Sequence, residues 1–347
     1  MSSTPPPTNE TEQIGPPIEL APTIAKYHFY NDLIAGMASI IFNCIMIFIV
    51  TNRISSVSKA FKNVMCFSKL FDILFSASFI MTSPICTSIA LKPNFSALMI
   101  VNNGWQFSFF CSNLFLSAAL VLLTQQIFLA PWLYYFRYVQ VCRKEGIKLK
   151  DVWFIVFCNI FSQLLTAACF CYASIPDDED IDLLKDGANK FTGTTTAFLL
   201  LSYTRHIDTV KKRINQIVSI ISAFGYAFIL ILSTFVMIFC TIKINMKVGE
   251  SKNISSKLLV IQKRANRILT TQFFCPLLFI QIPFYYSILG PIVGFSQGLA
   301  TDLLPLLFVW TPVVNTLIVF LLNAEIRNAL IRMQRSTLVS DSRRSAN

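Results

Sequence analysis

The sequence predicts an all-α membrane protein: a bundle of seven transmembrane helices, N-terminus outside and C-terminus cytoplasmic. Three observations predict it. Charged residues are 14% of the 347, where a soluble chain carries about 25%. The hydrophobic set is 54%, 32 residues are Phe, and a soluble fold has too little interior to bury them. The apolar residues also fall in continuous runs of bilayer length, not in the alternating segments of a β-barrel, and Lys and Arg crowd into alternate connecting segments.

A bilayer core needs about 20 helical residues. The first 31 residues begin rich in Pro, Ser, Thr and Glu and read as an extracellular disordered tail. They lack the basic, apolar and small-residue series of a secretory signal, so the first helix would act as its own insertion signal. Leu33–Asn52 is charge-free and forms the first span, about 33–52; the second is placed at 64–91. Pro93–Phe136 is uncharged over 44 residues, too long for one helix. Its Asn102-Asn103-Gly104 turn signal divides it into a loop and a third helix over 106–138. Charge-free runs place the fourth to seventh helices at about 152–175, 214–242, 268–289 and 303–322. The apolar stretch Ala197–Tyr203 is too short to span and is assigned to a loop. Residues 32–322 are thus the bundle, and 323–347 a cytoplasmic tail with a short amphipathic helix. Asn323 would cap that helix, Ile326, Leu330 and Ile331 would face lipid, and Arg327, Arg332 and Arg335 the headgroups.

With the N-terminus outside, the four cytoplasmic segments hold 19 of the 29 Lys and Arg residues and only 5 of the 18 acids. The net charge of +11 is therefore a sign of topology, not of nucleic-acid binding. Asn9-Glu10-Thr11 is a glycosylation acceptor in the outside tail. The tail residues Ser336, Thr337, Ser340, Ser342 and Ser345 lie among Arg335, Arg343 and Arg344, where phosphate would cancel basic charge near the anionic leaflet.

Enzyme chemistry is missing. Asp72 is the one acid expected well inside a span, the two histidines (His28 and His206) lie outside the spans, and no nucleophile elbow, phosphate loop or metal spacing appears. No cofactor is implied. Lys69 and Asp72 share a helix face, either as a pair near the membrane surface with Lys69 snorkelling out, or as a polar switch or cation site inside the bundle. Helix six carries Pro276 and Pro283, which free backbone carbonyls and bend it. Pro312-Val313-Val314-Asn315 sets a further kink beside a polar side chain in helix seven.

Phe136-Arg137-Tyr138 at the end of helix three, Gln272 and Pro276 in helix six, and Pro312, Asn315 and Arg327 around helix seven resemble, in order, spacing and sidedness, the motifs of nematode serpentine chemoreceptors. These are G-protein-coupled receptors of the Str-like superfamily, which includes class d. Phe136 stands for a family Tyr, Thr316 for a second Pro and Ile326 for a Tyr. The resemblance covers about residues 32–330. It implies a multi-pass plasma-membrane receptor, in a sensory-neuron cilium, serving olfaction with a small-molecule ligand and a heterotrimeric G protein as partners. It assigns coupling or activation to Arg137, Tyr138, Pro276 and Asn315, and the basic Lys263, Arg264 and Arg267 would line the cytoplasmic cleft with Arg137.

For the ligand, Asn113 and Ser117 share a face in the outer half of helix three, as Gln281 and Tyr285 do in helix six. The surroundings are Phe, Leu and Ile with no charge at that depth, which predicts a small uncharged ligand. The alternative is a seven-helix carrier or channel for a neutral solute, which the lack of an internal repeat disfavours.

Overall fold

The computed structural model describes residues 20–52, 59–91, 95–142, 149–193, 196–204, 209–250, 267–268, 270–286, 303–323 and 326–332. The bundle comprises α1 (Ala21–Asn52), α2 (Lys59–Thr82), α3 (Phe109–Cys142), α4 (Leu149–Ser174), α6 (Val210–Glu250), α7 (270–286) and α8 (Trp310–Leu322). Six of the described helices, counting Pro305–Leu322 as the last, are long and apolar enough to cross a membrane, and α7 completes the seven. α1 packs against α2 and α8, and α3 against α2, α4 and α6.

One end of the bundle carries structure that an all-α reading lacks. β1 (Pro84–Leu91), β2 (Phe95–Asn102) and β3 (Phe198–Thr204) form an antiparallel sheet in the order β1-β2-β3. Period-two alternation sorts its side chains. Ala97, Met99, Val101, Phe198 and Leu200 point to one face, where Ala21 and Ala25 of α1 and Leu184, Ala188 and Phe191 of α5 (Asp178–Thr192) cover them. Leu98, Ile100, Leu199, Leu201 and Tyr203 point to the other, against Leu116, Phe170 and Tyr226 of the bundle. Where its side chains are described the sheet is a partition buried on both faces, and its strands accordingly read as mainly apolar runs broken only by small hydroxyl residues and a terminal Asn.

Several expected boundaries move. The second helix ends at Thr82, not residue 91, because Ser83 takes a left-handed backbone (φ 38°) and turns the chain into β1. The turn is locked: the backbone N–H groups of Asn103 and Gly104 both donate to the Thr82 carbonyl, at 3.1 and 2.9 Å. A Cβ on Gly104 would lie 2.0 Å from the Met81 carbonyl oxygen, so only glycine fits. The expected loops around 93–105 and 197–203 hold β2 and β3. The long connection before α6 contains α5, begun by a capping box in which the Asp177 carboxylate accepts from the Asp180 backbone and Asp180 reaches back to the Asp177 backbone. The first helix starts at Ala21, so only residues before it can form the predicted tail. Asp32 does not end that helix. It is buried, receiving hydrogen bonds from Ser83 Oγ (2.9 Å) and Asn31 Nδ2 (3.2 Å). The third helix runs to Cys142, the fifth extends over 210–250, and the seventh is preceded by a 3-10 turn at Leu304–Leu307.

The short helix after the bundle, α9 (326–332), is present, and the Asn323 side chain accepts from the Ile326 N–H at 3.5 Å. Ile326 does not face lipid; it is 1% exposed, packed with Met46, Ile49, Val50 and Val319. Asn9, Lys263, Arg264, Arg335, Ser336, Thr337, Ser340, Ser342 and Ser345 lie outside the described residues.

Candidate functional site

Beneath the sheet lies a small internal cavity of about 40 Å³. Cys86, Leu98, Ile100 and Leu201 of the strands roof it, Leu120, Leu123 and Thr124 of α3 form one wall, and Phe170, Tyr226, Phe284 and Phe308 close the rest. It is apolar but for one hydroxyl pair, Thr124 Oγ1 and Tyr226 OH, 3.0 Å apart. The Tyr203 hydroxyl, in the same apolar cluster, is buried without a hydrogen-bond partner among the described residues. Burial pushes its phenol above the ordinary tyrosine range.

The four side chains expected to contact ligand do not line this cavity. Gln281 is buried and its Oε1 accepts from Thr234 Oγ1 of α6 at 2.7 Å; Tyr285 OH reaches the Ala227 carbonyl, also on α6, at 3.5 Å. Both tie α7 to α6. Ser117 hydrogen-bonds Cys171 of α4. Asn113 is buried, with its Oδ1 unpaired among the described residues. Polar side chains on neighbouring helices bond one another readily in lipid, and spacing on one helix cannot tell a helix-facing side chain from a cavity-facing one. For the same reason the sequence does not single out Thr124 and Tyr226, whose contact depends on two helices.

Deeper in the bundle a polar network joins four helices. Lys69 Nζ lies 2.8 Å from Asp72 Oδ2 and donates to Thr316 Oγ1 at 3.0 Å. Gln126 Nε2 donates to the other Asp72 oxygen at 2.9 Å. Thr316 Oγ1 donates to Asn43 Oδ1 at 2.7 Å, Asn43 Nδ2 bonds Ser39, and Ser39 Oγ meets Ser76 Oγ at 2.6 Å. α1, α2, α3 and α8 are thereby stitched together. Lys69 does not snorkel: its side chain is 7% exposed and that of Asp72 2%. The cation beside Asp72 is the protein's own ammonium. Asp32 is a second buried acid, but its partner Ser83 stands eleven residues beyond Asp72 along α2, about 16 Å at 1.5 Å per residue, so the two carboxylates form no dyad. Among the described residues no cluster of His, Cys, Asp and Glu could hold a metal ion.

At the end remote from the sheet a cleft of about 200 Å³ opens over this network. Lys69, Arg137, Gln272, Asn315 and Asn323 all line it. Gln272 Nε2 donates to Asn315 Oδ1 at 3.1 Å, joining the two helices whose motifs stood out in the sequence. Tyr138 packs on Tyr135 and Phe239, and Arg267 is exposed. Pro276, lacking an N–H, immediately precedes a π-helical turn over Leu277–Gln281, where Ile282 N–H bonds the Leu277 carbonyl. α7 is irregular between the cavity and the cleft.

A lidded apolar cavity, a charged core and an opposing cleft in a seven-helix bundle define a transmembrane receptor fold. The chain belongs to the Str family of serpentine-type seven-transmembrane G-protein-coupled chemoreceptors, whose pattern it matches over residues 29–331. Among its relatives is the G-protein coupled receptor str-33 of Caenorhabditis elegans, 22% identical over 338 residues spanning 91% of each chain. Squid rhodopsin shares the fold with a TM-score of 0.58 at 13% identity, covering 97% of this chain and 91% of that one. The family resemblance read from the helix-three, helix-six and helix-seven motifs is borne out.

Proposed function

We propose that this multi-pass membrane protein binds a small uncharged ligand in the cavity beneath the sheet and activates a heterotrimeric G protein at the opposite cleft. The sheet end then faces outside and the cleft faces the cytoplasm, as the Lys and Arg distribution favours. Plasma-membrane residence, in a sensory cilium, goes with that role. The observation that carries the reading is the cavity itself: eleven lining residues, none charged, and a single Thr124–Tyr226 hydroxyl pair to orient a guest. An amine would want a carboxylate there and an acid a basic group. Asp32 is not among the lining residues and is held by Ser83 and Asn31.

The cavity has room for only a few non-hydrogen atoms, so a larger guest must raise the sheet or part α3 from α6, and binding is thereby coupled to shape. Arg137, Tyr138, Pro276 and Asn315, with Lys263, Arg264 and Arg267, are the residues we assign to coupling. The test is a second-messenger assay, with solute flux measured in the same cells, against neutral, cationic and anionic odorants. Responses confined to neutral compounds, weakened by Tyr226→Phe and Thr124→Val, are expected. A potent response restricted to charged compounds, or flux without second messenger, overturns the reading.

A further inference from the structure

A groove of about 570 Å³ opens on the membrane-facing side of α2, α3 and α4; it shares no residue with the cavity, and with the cleft it shares the apolar Val64, Leu133 and Phe136 but none of the polar side chains. Phe67, Trp132 and Ile160 are among its apolar walls, and no charged residue lines it. Four amides line it as well: Asn63 is exposed near the start of α2, and the other three are Gln125 on α3 and Asn159 and Gln163 one turn apart on α4.

The hydrogen bonding of these three does not close. Asn159 Nδ2 donates to Gln125 Oε1 at 3.4 Å, and Gln163 Nε2 donates to the Val121 carbonyl. Gln125 Nε2, Asn159 Oδ1 and Gln163 Oε1 then remain without a partner among the described residues, although Gln125 is only 4% exposed. Turning both Gln125 and Asn159 about their terminal bonds exchanges the roles of N and O but still leaves that pair one donor and one acceptor over. Unmet polar atoms are costly where hydrocarbon replaces water.

Depth decides what could meet them. Gln125 is near the middle of the span Phe109–Val139. Phospholipids and sterols keep their polar groups at the membrane surface, so their tails can fill the groove but cannot bond these three amides. A group that both donates and accepts is required, and a hydroxyl on an apolar chain is the simplest. We infer that the α2–α3–α4 groove is an intramembrane binding site for a neutral apolar alcohol that enters from the bilayer and whose hydroxyl accepts from Gln125 Nε2 and donates to Asn159 Oδ1 or Gln163 Oε1. The volume falls in the range of ordinary small-molecule sites, and the absence of charge matches the guest.

The site is independent of the signalling assignment, so its test reads binding rather than second messenger. Purified receptor in nanodiscs is photolabelled with a diazirine analogue of decan-1-ol and the labelled peptides are mapped. Label is expected on α4 or α2 at the groove, competed by excess decan-1-ol about tenfold better than by decane. Ile160→Trp, at an exposed position that fills the groove without touching the amides' bonds, is expected to abolish it. Gln125→Leu with Asn159→Leu is expected to erase the preference for alcohol over alkane. Equal competition by decane, label that survives Ile160→Trp, or quantitative crosslinking between Ile160→Cys copies (which would make this face a contact between receptors) overturns the inference.

Discussion

The buried Lys69–Asp72 pair offers the sharpest test of how the bundle is held. At 2.8 Å the two charges attract by roughly 6 kcal/mol at an effective dielectric of about 20, and desolvating both groups takes back much of that. The net worth of the pair is therefore small, while the cost of orphaning one member is large. Lys69→Met leaves a carboxylate with only Gln126 among its side-chain partners; Asp72→Asn leaves an ammonium with neutral partners alone, Thr316 and the amide oxygen it shares with Gln126. Each single change is expected to cost about 3–5 kcal/mol. The double change Lys69→Met/Asp72→Asn keeps a carbonyl for Gln126, and Thr316 keeps Asn43, so it should return to within about 1–2 kcal/mol of the parent. Thermal midpoints of the detergent-purified receptor read this out. At about 1.4 °C per kcal/mol for a chain of 347 residues, the singles should fall by about 4–7 °C. If Lys69→Met is as stable as the parent, or if the double variant is no better than the singles, the pair is not the coupled buried charge described here.

Four further outcomes are expected. An epitope before Met1 should stain on intact cells, and one after Asn347 only after permeabilisation; the reverse would invert the cleft and cavity assignments. Arg137→Ala should reach the surface yet lose second-messenger output, and intact signalling would leave Arg137 as a helix anchor. Gly104→Ala, which drives a Cβ into the Met81 carbonyl, should cost about 1–3 kcal/mol and lower surface expression, whereas Gly225→Ala, with nothing within 4 Å, should be neutral or mildly stabilising. Replacing Ser336, Thr337, Ser340, Ser342 and Ser345 with Ala should prolong the response to a sustained stimulus, measured as the half-time of desensitisation; an unchanged half-time argues against phosphate control of the tail.

What was legible in the sequence follows from what a membrane enforces. Charge-free runs of bilayer length located the helices because hydrocarbon tolerates little else. The sheet was not legible, because strands buried on both faces show neither the alternation nor the polar punctuation that marks a strand, and Pro84–Leu91 looks like more of α2. The sign of its beginning is a single residue, Ser83, whose left-handed backbone no local pattern announces. Asp32 misled in the opposite direction: a charge was read as a boundary, when Ser83 and Asn31 supply the bonds that let it stay inside. At the sites, motif residues were legible where two helices must both contribute, as Gln272 and Asn315 do. The cavity residues were not, since Thr124 and Tyr226 meet only because α3 and α6 cross there.

The distances along each helix constrain how the two ends can communicate. Thr124 lines the cavity, and Gln126, two residues on, holds Asp72; any displacement of α3 by a guest is felt at the charged pair within one turn. Phe308 lines the cavity, and Thr316, eight residues further along the same stretch of chain, accepts from Lys69. Phe284 lines it too, and Gln272 lies twelve residues back along α7, on the far side of the π turn. The first route is continuous helix, the second runs from a turn at Phe308 into α8, and both end on the same ion pair; the third passes through the π turn and ends on Asn315. A stiff pair of helices bearing on a buried charge, beside a third that can bend, is an arrangement with distinct packings rather than a continuous deformation. If the cavity takes a ligand as proposed, binding would shift α3 and α8 against α2, strain the Lys69–Asp72–Thr316 contacts, and let α7 pivot at Pro276 so that the Gln272–Asn315 bond across the cleft would break.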